Sequence, residues 1–180
     1  MEASEKINLT YFKTPLGELM LGSFKGVLCL CDWRYRKMRA TIDNRVQKEL
    51  KTVYKTGEDA IIAEAKKQLT EYFSGNRKEF SIEMLWVGSD FQKQVWKSLT
   101  QIPYGTTRSY LALSKMIDNP KAIRAVAAAN GANAFSILVP CHRVIASNGD
   151  LTGYAGGLSV KKKLLRLEGA LPNNQLQLFS

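Results

Sequence analysis

The sequence predicts an α+β protein, strand-rich in its first half and helix-rich in its second. Three observations carry that expectation. Short alternating segments joined by tight turns fill the first third, capped helical patterns follow Gly88, and the charge balance changes at the same point. The strand-like segments are residues 7–13, 18–24 and 27–33. Thr14-Pro15-Leu16-Gly17 and Lys25-Gly26 separate them, so the expected arrangement is an antiparallel meander. Residues 34–56 are basic and polar and read as a loop or a poorly defined helix. From Asp59 to Phe73, Ile61, Ile62, Ala65, Leu69 and Tyr72-Phe73 recur at helical spacing, and Gly75 is a suitable stop. Residues 81–86 are a candidate strand.

A boundary near Gly88 divides the chain into residues 1–87, residues 88–170 and a tail, 171–180, that lacks periodicity. Ser89 or Asp90 can cap a helix through Leu99 with Phe91, Val95, Trp96 and Leu99 on one face; Pro103-Tyr104-Gly105 breaks it. A second helix is expected over 109–117. A third follows, with Asn119 as N-cap, Pro120 in its first turn and Gly131 beyond its end. Two short helices across a tight turn make a helix-turn-helix candidate, although any corner between core helices has the same spacing. Residues 135–139 and 143–146 read as strands flanking Pro140-Cys141-His142. Ser147-Asn148-Gly149-Asp150 reads as a turn and 151–158 as a Gly-rich loop. Ser159 then caps a last helix ending at Glu168-Gly169.

At 45% hydrophobic, the 180-residue chain has the apolar content of a packed protein. Residues 1–10 are polar and charged, unlike a signal peptide, and no apolar run approaches the ~20 residues of a membrane span. The expected location is the cytoplasm, without membrane contact, and the expected state is a monomer. The net charge of +10 is uneven: +3 over residues 1–86 and +7 over 87–180, where Asp90, Asp118, Asp150 and Glu168 are the only acids. So few carboxylates suit a phosphate backbone, and equally a plain basic surface.

Three cysteines argue against a disulfide framework. Cys29 and Cys31, two apart in a strand, are expected on one face as buried small side chains. A zinc site would need further ligands, and His142 is the sole histidine, so no metal is expected. Cys141 and His142 are the one Cys-His pair. An unperturbed thiol is only a few per cent ionised at neutral pH and needs a base. Extended neighbours point apart, so a sharp turn or a bridging water must connect them, and Pro140 favours a turn. The imidazole needs a third group to orient it. Glu168 is the best candidate among the few acids of this half.

Pro140-Cys141-His142-Arg143-Val144 resembles the PCHR[IV] signature of the methylated-DNA–protein-cysteine methyltransferases, or O6-alkylguanine-DNA alkyltransferases. The similarity extends through Asn130-Gly131-Ala132-Asn133, through 151–157 and 164–169, and back to 91–96 and Arg108-Ser109-Tyr110, in order and at family spacing. Residues 1–86 match only in length and pattern.

The resemblance implies a ribonuclease H-like first domain and a mainly helical, winged-helix-like second domain carrying the helix-turn-helix. It implies irreversible, stoichiometric transfer of an alkyl group from O6-alkylguanine in double-stranded DNA to Cys141, with O4-alkylthymine left open and no cofactor. His142 would take the thiol proton through a water, and Glu168 would hold the imidazole. Asn133 would be a hinge bonding backbone near the cysteine, a role close to simply closing a helix end. Tyr110 would donate to the flipped guanine, where the plain alternative is a core tyrosine. Arg124 would fill the space the base leaves, or else contact phosphate. The helix would enter the minor groove on small residues, Ala125 and Ala128 among them. Backbone near Val144 and Ala155, with Tyr154 in the same loop, would form the base pocket. Ala134 and Ser136 stand where some members have prolines, which implies a looser pocket wall. Three other readings are open to the residues: a non-catalytic protein that binds alkylated DNA, a thiol hydrolase using Cys141, His142 and Glu168, and a plain helix-turn-helix regulator, which gives Cys141 no role.

Overall fold

Alternation in the first third builds an antiparallel meander. β1 (Ile7–Thr14), β2 (Gly17–Phe24) and β3 (Val27–Trp33) pair in sequence order. The computed structural model describes residues 5–171, so all but the first residue of the expected tail lies outside the described part. The sheet is covered on both faces. Leu19 and Leu21 pack with Ile62, Ala65, Leu69 and Tyr72 of α2 (Ala60–Phe73), while Met20 and Leu30 pack with Ile42 of α1 (Arg39–Leu50). Asp59 caps α2 by accepting from the Ile62 amide at 3.1 Å.

Three expectations for this half are corrected. Within residues 34–56 the helix left open is present as α1, and the unforeseen element is β4 (Tyr54–Thr56), parallel to β1, giving the sheet order β3-β2-β1-β4. Only Ile42 and Val46 are buried on α1, too few for a readable stripe. Polar contacts hold it instead: Asp43 accepts from Arg39 at 2.9 and 3.0 Å and from the Tyr54 hydroxyl at 2.9 Å. Residues 81–86 make one isolated bridge, Leu28 to Met84, rather than a strand. Cys29 and Cys31 do not share a face. Gly22 pairs with Leu30 and Ser23 with Leu28, so Cys29 is the extra residue of a bulge that breaks the alternation. Cys29 packs on Ile7, Val46 and Val87, and Cys31 on the central core.

In the second half, α3 (Asp90–Leu99) starts with a capping box. The Ser89 hydroxyl accepts from the Gln92 amide at 3.2 Å, and the Gln92 side chain accepts from the Ser89 amide at 2.9 Å. Ser89 is therefore the cap, and Val95, Trp96 and Leu99 are buried behind it. α4 (Tyr110–Met116), capped by Ser109, and α5 (Ile123–Gly131) form the helix-turn-helix pair. Asn119 and Pro120 precede α5 instead of starting it. Asp118 adopts φ 56°, and the Ala122 amide donates to the Asn119 carbonyl at 3.0 Å, closing a separate turn before the helix. Gly131 is the last helical residue, not the one beyond.

β5 (Arg108–Ser109) and β6 (Val144–Ile145) form a short parallel pair, but residues 135–139 are not a strand. Phe135 bridges to Cys31 on the edge of β3, and the chain then turns through Ile137 at φ 73°. α6 (Leu158–Leu167) begins at Gly157 rather than Ser159. Gly157 at φ 91° redirects the chain, and its carbonyl accepts the first helical bond from Lys161. Among the described residues no helix is long and apolar enough to cross a membrane. Replacing Ser89 by Ala should cost about 1 kcal/mol and lower the thermal midpoint by about 2–4 °C. An unchanged midpoint in calorimetry would show that the box contributes nothing to α3.

Candidate active site and nucleic-acid face

A 3-10 turn, Cys141–Arg143, follows Pro140 and turns successive side chains to different neighbours. Cys141 is 4% exposed and forms part of the wall of a cavity of about 660 Å³, shared with Tyr110, Asn133, Tyr154 and Ala155. His142 is fully buried behind it, and its Nε2 lies 2.7 Å from Glu168 Oε1. Glu168, at the end of α6, also accepts from Arg143 at 2.8 and 3.0 Å and from the Tyr72 hydroxyl of α2 at 2.7 Å. Burial works against its charge, yet the hydrogen bonds from His142 and Arg143 and the positive charge of Arg143 outweigh that and hold its carboxyl at about 2. A carboxylate against Nε2 makes that nitrogen the N–H donor, so Nδ1 carries the lone pair. Nδ1 is buried and has no protein partner among the described residues. Burial lowers the imidazole pKa although Glu168 opposes it, so His142 is neutral at pH 7 and able to accept a proton.

Burial pushes the Cys141 thiol up, against a hydrogen bond from Asn133 and the positive charge of Lys161. The Asn133 amide donates to the carbonyls of Val139 at 2.9 Å and Phe135 at 3.3 Å, and its oxygen accepts from the Phe135 amide at 2.9 Å. It ties the end of α5 to the chain entering the cysteine turn. Lys161 is fully buried, and its Nζ donates to the carbonyls of Val144, Thr152 and Gly153, pinning the Gly-rich loop. Burial brings its pKa down to about 8. The Tyr154 hydroxyl accepts from the Trp33 indole at 3.0 Å, and a Cβ on Gly156 would lie 2.8 Å from that indole nitrogen. Glycine at 156 is what lets the loop lie against β3.

Models of the two domains of one family match nearly the whole chain. The 6-O-methylguanine DNA methyltransferase ribonuclease-like domain matches residues 7–85, and the DNA binding domain of the same name matches residues 90–170. The chain belongs to this methyltransferase family. A methylated-DNA–protein-cysteine methyltransferase of Methanosarcina acetivorans is 42% identical over 160 residues, 88% of this chain and 96% of that protein. The constitutive enzyme of that name from Bacillus subtilis is 42% identical over 163 residues, 88% and 93% of the two chains. A crystal structure of Mycobacterium tuberculosis OGT in complex with DNA superimposes with a TM-score of 0.78 at 38% identity, over 96% of this chain and 99% of that one.

The methyltransferase-type helix pair presents Arg124, Ala125 and Ala128 on one exposed face of α5, with Val126, Ala129 and Asn130 buried behind them. Tyr110 donates to the Thr152 carbonyl at 3.2 Å across the cavity mouth. Of the residues expected to form the base pocket, Tyr154 and Ala155 line the cavity. Val144 does not: its side chain is fully buried and its carbonyl is bonded to Lys161. The looser wall expected at Ser136 is tied down instead, because its hydroxyl donates to the buried Asp32 carboxylate at 2.8 Å. Among the described residues no three His, Cys, Asp or Glu side chains gather as a metal site.

Sequence reasoning missed four polar residues. Arg143 stood inside the quoted signature, and Tyr72 was counted as apolar stripe. Lys161 hid in a Lys-Lys-Lys run, although its spacing to Leu164 and Leu165 puts it on their buried face. Arg36 sat in the stretch read as loop. Glu168 also yields a pH prediction. Its depressed pKa stabilises the fold fully above about 4.5 and loses that contribution as pH falls toward about 2, on the order of 3 kcal/mol in all. His142 loses stability in the same direction, since the unfolded imidazole protonates near 6.5 and the buried one resists. Urea unfolding of Glu168→Gln should show lower stability at pH 7 and a flatter decline between pH 4.5 and 2 than the parent. Parallel curves would mean that the carboxylate is not the acid-sensitive group.

Proposed function

We propose that this protein repairs O6-alkylguanine in double-stranded DNA by moving the alkyl group irreversibly onto Cys141. The observation that carries the reading is the placement of the thiol: it lines a cavity flanked by α5, with a neutral, carboxylate-held imidazole directly behind it. The small residues Ala125 and Ala128 let α5 approach the minor groove, and Arg124 occupies the space of the extruded nucleotide. Flipping costs a few kcal/mol of stacking and pairing, least at a poorly paired lesion.

With the base in the cavity, the Cys141 proton passes through a water to His142 Nδ1, and Glu168 stabilises the imidazolium. The sulfur attacks the alkyl carbon, the S–C bond forms, the C–O6 bond breaks, and its electron pair goes to the guanine. Tyr110 turns its hydroxyl from the Thr152 carbonyl to the departing base and offsets the charge that develops there. Backbone near Ala155 reads the guanine edge, with Tyr154 closing the wall. Asn133 keeps the cysteine turn in register with the helix. The product is a thioether without a leaving group, so each molecule acts once, and no cofactor enters because both bonding electrons come from sulfur.

Residues 1–87 serve in this reading as the supporting domain and 88–170 as the DNA-binding, alkyl-accepting domain. The protein works as a monomer in the cytoplasm. The test is incubation with a duplex carrying O6-methylguanine, followed by mass analysis of the Cys141 peptide. The expected result is a permanent gain of one methyl, stoichiometric with lesions removed. Continuous turnover would indicate a hydrolase, and binding without mass change a non-catalytic reader. Cys141→Ala should keep DNA binding and lose all transfer. Tyr110→Phe should slow transfer by about 10²-fold with little change in binding, measured by single-turnover kinetics; an unaltered rate would remove Tyr110 from the chemistry.

A further inference from the structure

We propose that Arg36, oriented by the buried carboxylate of Asp32, is a positioning residue that holds the carboxyl end of α5 in register with Cys141, with Arg45 as a second point of hold. The proposal rests on the reading of α5 as the helix that delivers the lesion. Asp32, near the end of β3, is fully buried. Its carboxylate accepts from Arg36 at 3.1 and 3.3 Å, from Arg39 at 2.9 Å, from the Ser136 hydroxyl at 2.8 Å and from the Trp33 amide at 3.0 Å. Held there, the Arg36 guanidinium reaches into the second half of the chain. It donates to the Gly131 carbonyl at 2.6 Å and to the Asn133 carbonyl at 3.1 Å. Arg45 of α1 donates to the Ala132 carbonyl between them at 2.9 Å and lies over the Trp96 ring at 5.2 Å. The Trp96 indole in turn donates to the Ala129 carbonyl at 2.8 Å.

The last carbonyls of a helix have no partner within it and carry the negative end of its dipole. In α5 the Gly131 carbonyl is met by Arg36 and the Ala129 carbonyl by Trp96, and Arg45 meets the carbonyl of Ala132, the residue that caps the helix. The hold continues toward the nucleophile. Asn133 bonds Phe135 and Val139, and Ser136 returns to the same Asp32 carboxylate, so residues 131–136 are fixed at both ends by one buried charge. A shift of the helix end is thereby a shift of the turn that carries Cys141. Register matters most for a lesion in duplex DNA, which the helix must bring to the sulfur. A free alkylated base needs only the cavity.

The test compares single-turnover transfer from O6-methylguanine in a duplex with transfer from free O6-benzylguanine, in the parent, Arg36→Met, Arg36→Lys and Arg45→Met. Misplacing reacting atoms by about 1 Å costs on the order of 10²-fold in rate. The duplex-to-free-base rate ratio should therefore fall by about tenfold or more in Arg36→Met, less in Arg36→Lys, and in the same direction in Arg45→Met. Amide exchange over residues 128–136 should quicken in Arg36→Met relative to the sheet. An unchanged ratio, with both rates falling only as folded protein is lost, would reduce the cluster to a stability role and overturn the proposal. Arg45→Met, which leaves the Asp32–Arg36 pair intact, decides the matter if Arg36→Met does not fold. A parent protein inactive on both substrates would instead overturn the functional reading, and the exchange data would still decide the clamp.

Discussion

The buried carboxylate of Glu168 fixes the state of the imidazole that follows Cys141. Taking that charge out of water is costly, and the cost is offset only when its lone pairs are filled. They are filled from three directions: His142 and Arg143 from the cysteine turn, and Tyr72 from α2. Gly105, at φ 78°, allows the turn after α3 to pass beneath the same residue, where a Cβ would lie 2.9 Å from the Glu168 carbonyl. Because the carboxylate accepts a hydrogen bond from Nε2–H and so keeps the ring proton there, the other ring nitrogen is left as a base. Burial keeps that base neutral, since the imidazolium would have to exist without solvent.

The resting nucleophile follows from the same balance. Burial raises the Cys141 pKa further than Asn133 and Lys161 lower it, so the thiol is held protonated at neutral pH. A protonated sulfur in a cavity wall is a poor target for stray electrophiles and oxidants. The next residue in the turn carries the neutral imidazole whose tautomer Glu168 fixes. The site thus holds a thiol beside a fixed hydrogen-bonded frame rather than a standing thiolate. Cys29 and Cys31 show the contrast: burial pushes Cys29 up to about 12 and Cys31 higher still, with no base beside either.

What could be read from the sequence depended on whether local chemistry or distant partners decide a residue's place. β1 to β3, α2 and α3 were legible because alternation, helical spacing and caps such as Ser89 act within a few residues. The pairing of His142 with Glu168 was legible because Glu168 had few rivals among the acids of that half. α1 was not, because Arg39, Asp43 and Tyr54 hold it through polar bonds that leave no apolar stripe. The bulge at Cys29 was not, because it is a property of the pairing with β2 and not of β3 alone. Residues 135–139 look like a strand by composition. Their one sheet-like contact is a bridge to β3, and Ile137 at φ 73° is a conformation no β-branched residue would suggest.

The two halves of the chain are joined by an exchange of buried charge. Asp32 belongs to the first half and takes a hydrogen bond from Ser136 of the second. Glu168 belongs to the second half and takes one from Tyr72 of the first. Pulling the halves apart would leave each carboxylate short of a partner, a cost greater than the net value of the hydrogen bond itself. Trp33 extends the exchange to the pocket, since its indole both orients Tyr154 and demands glycine at 156. The sheet therefore does more than carry the helical half. It completes the hydrogen bonding around a cysteine it does not contain, and the segment that follows β3 supplies Tyr35, Arg36 and Lys37 to the wall of the cavity beside Cys141.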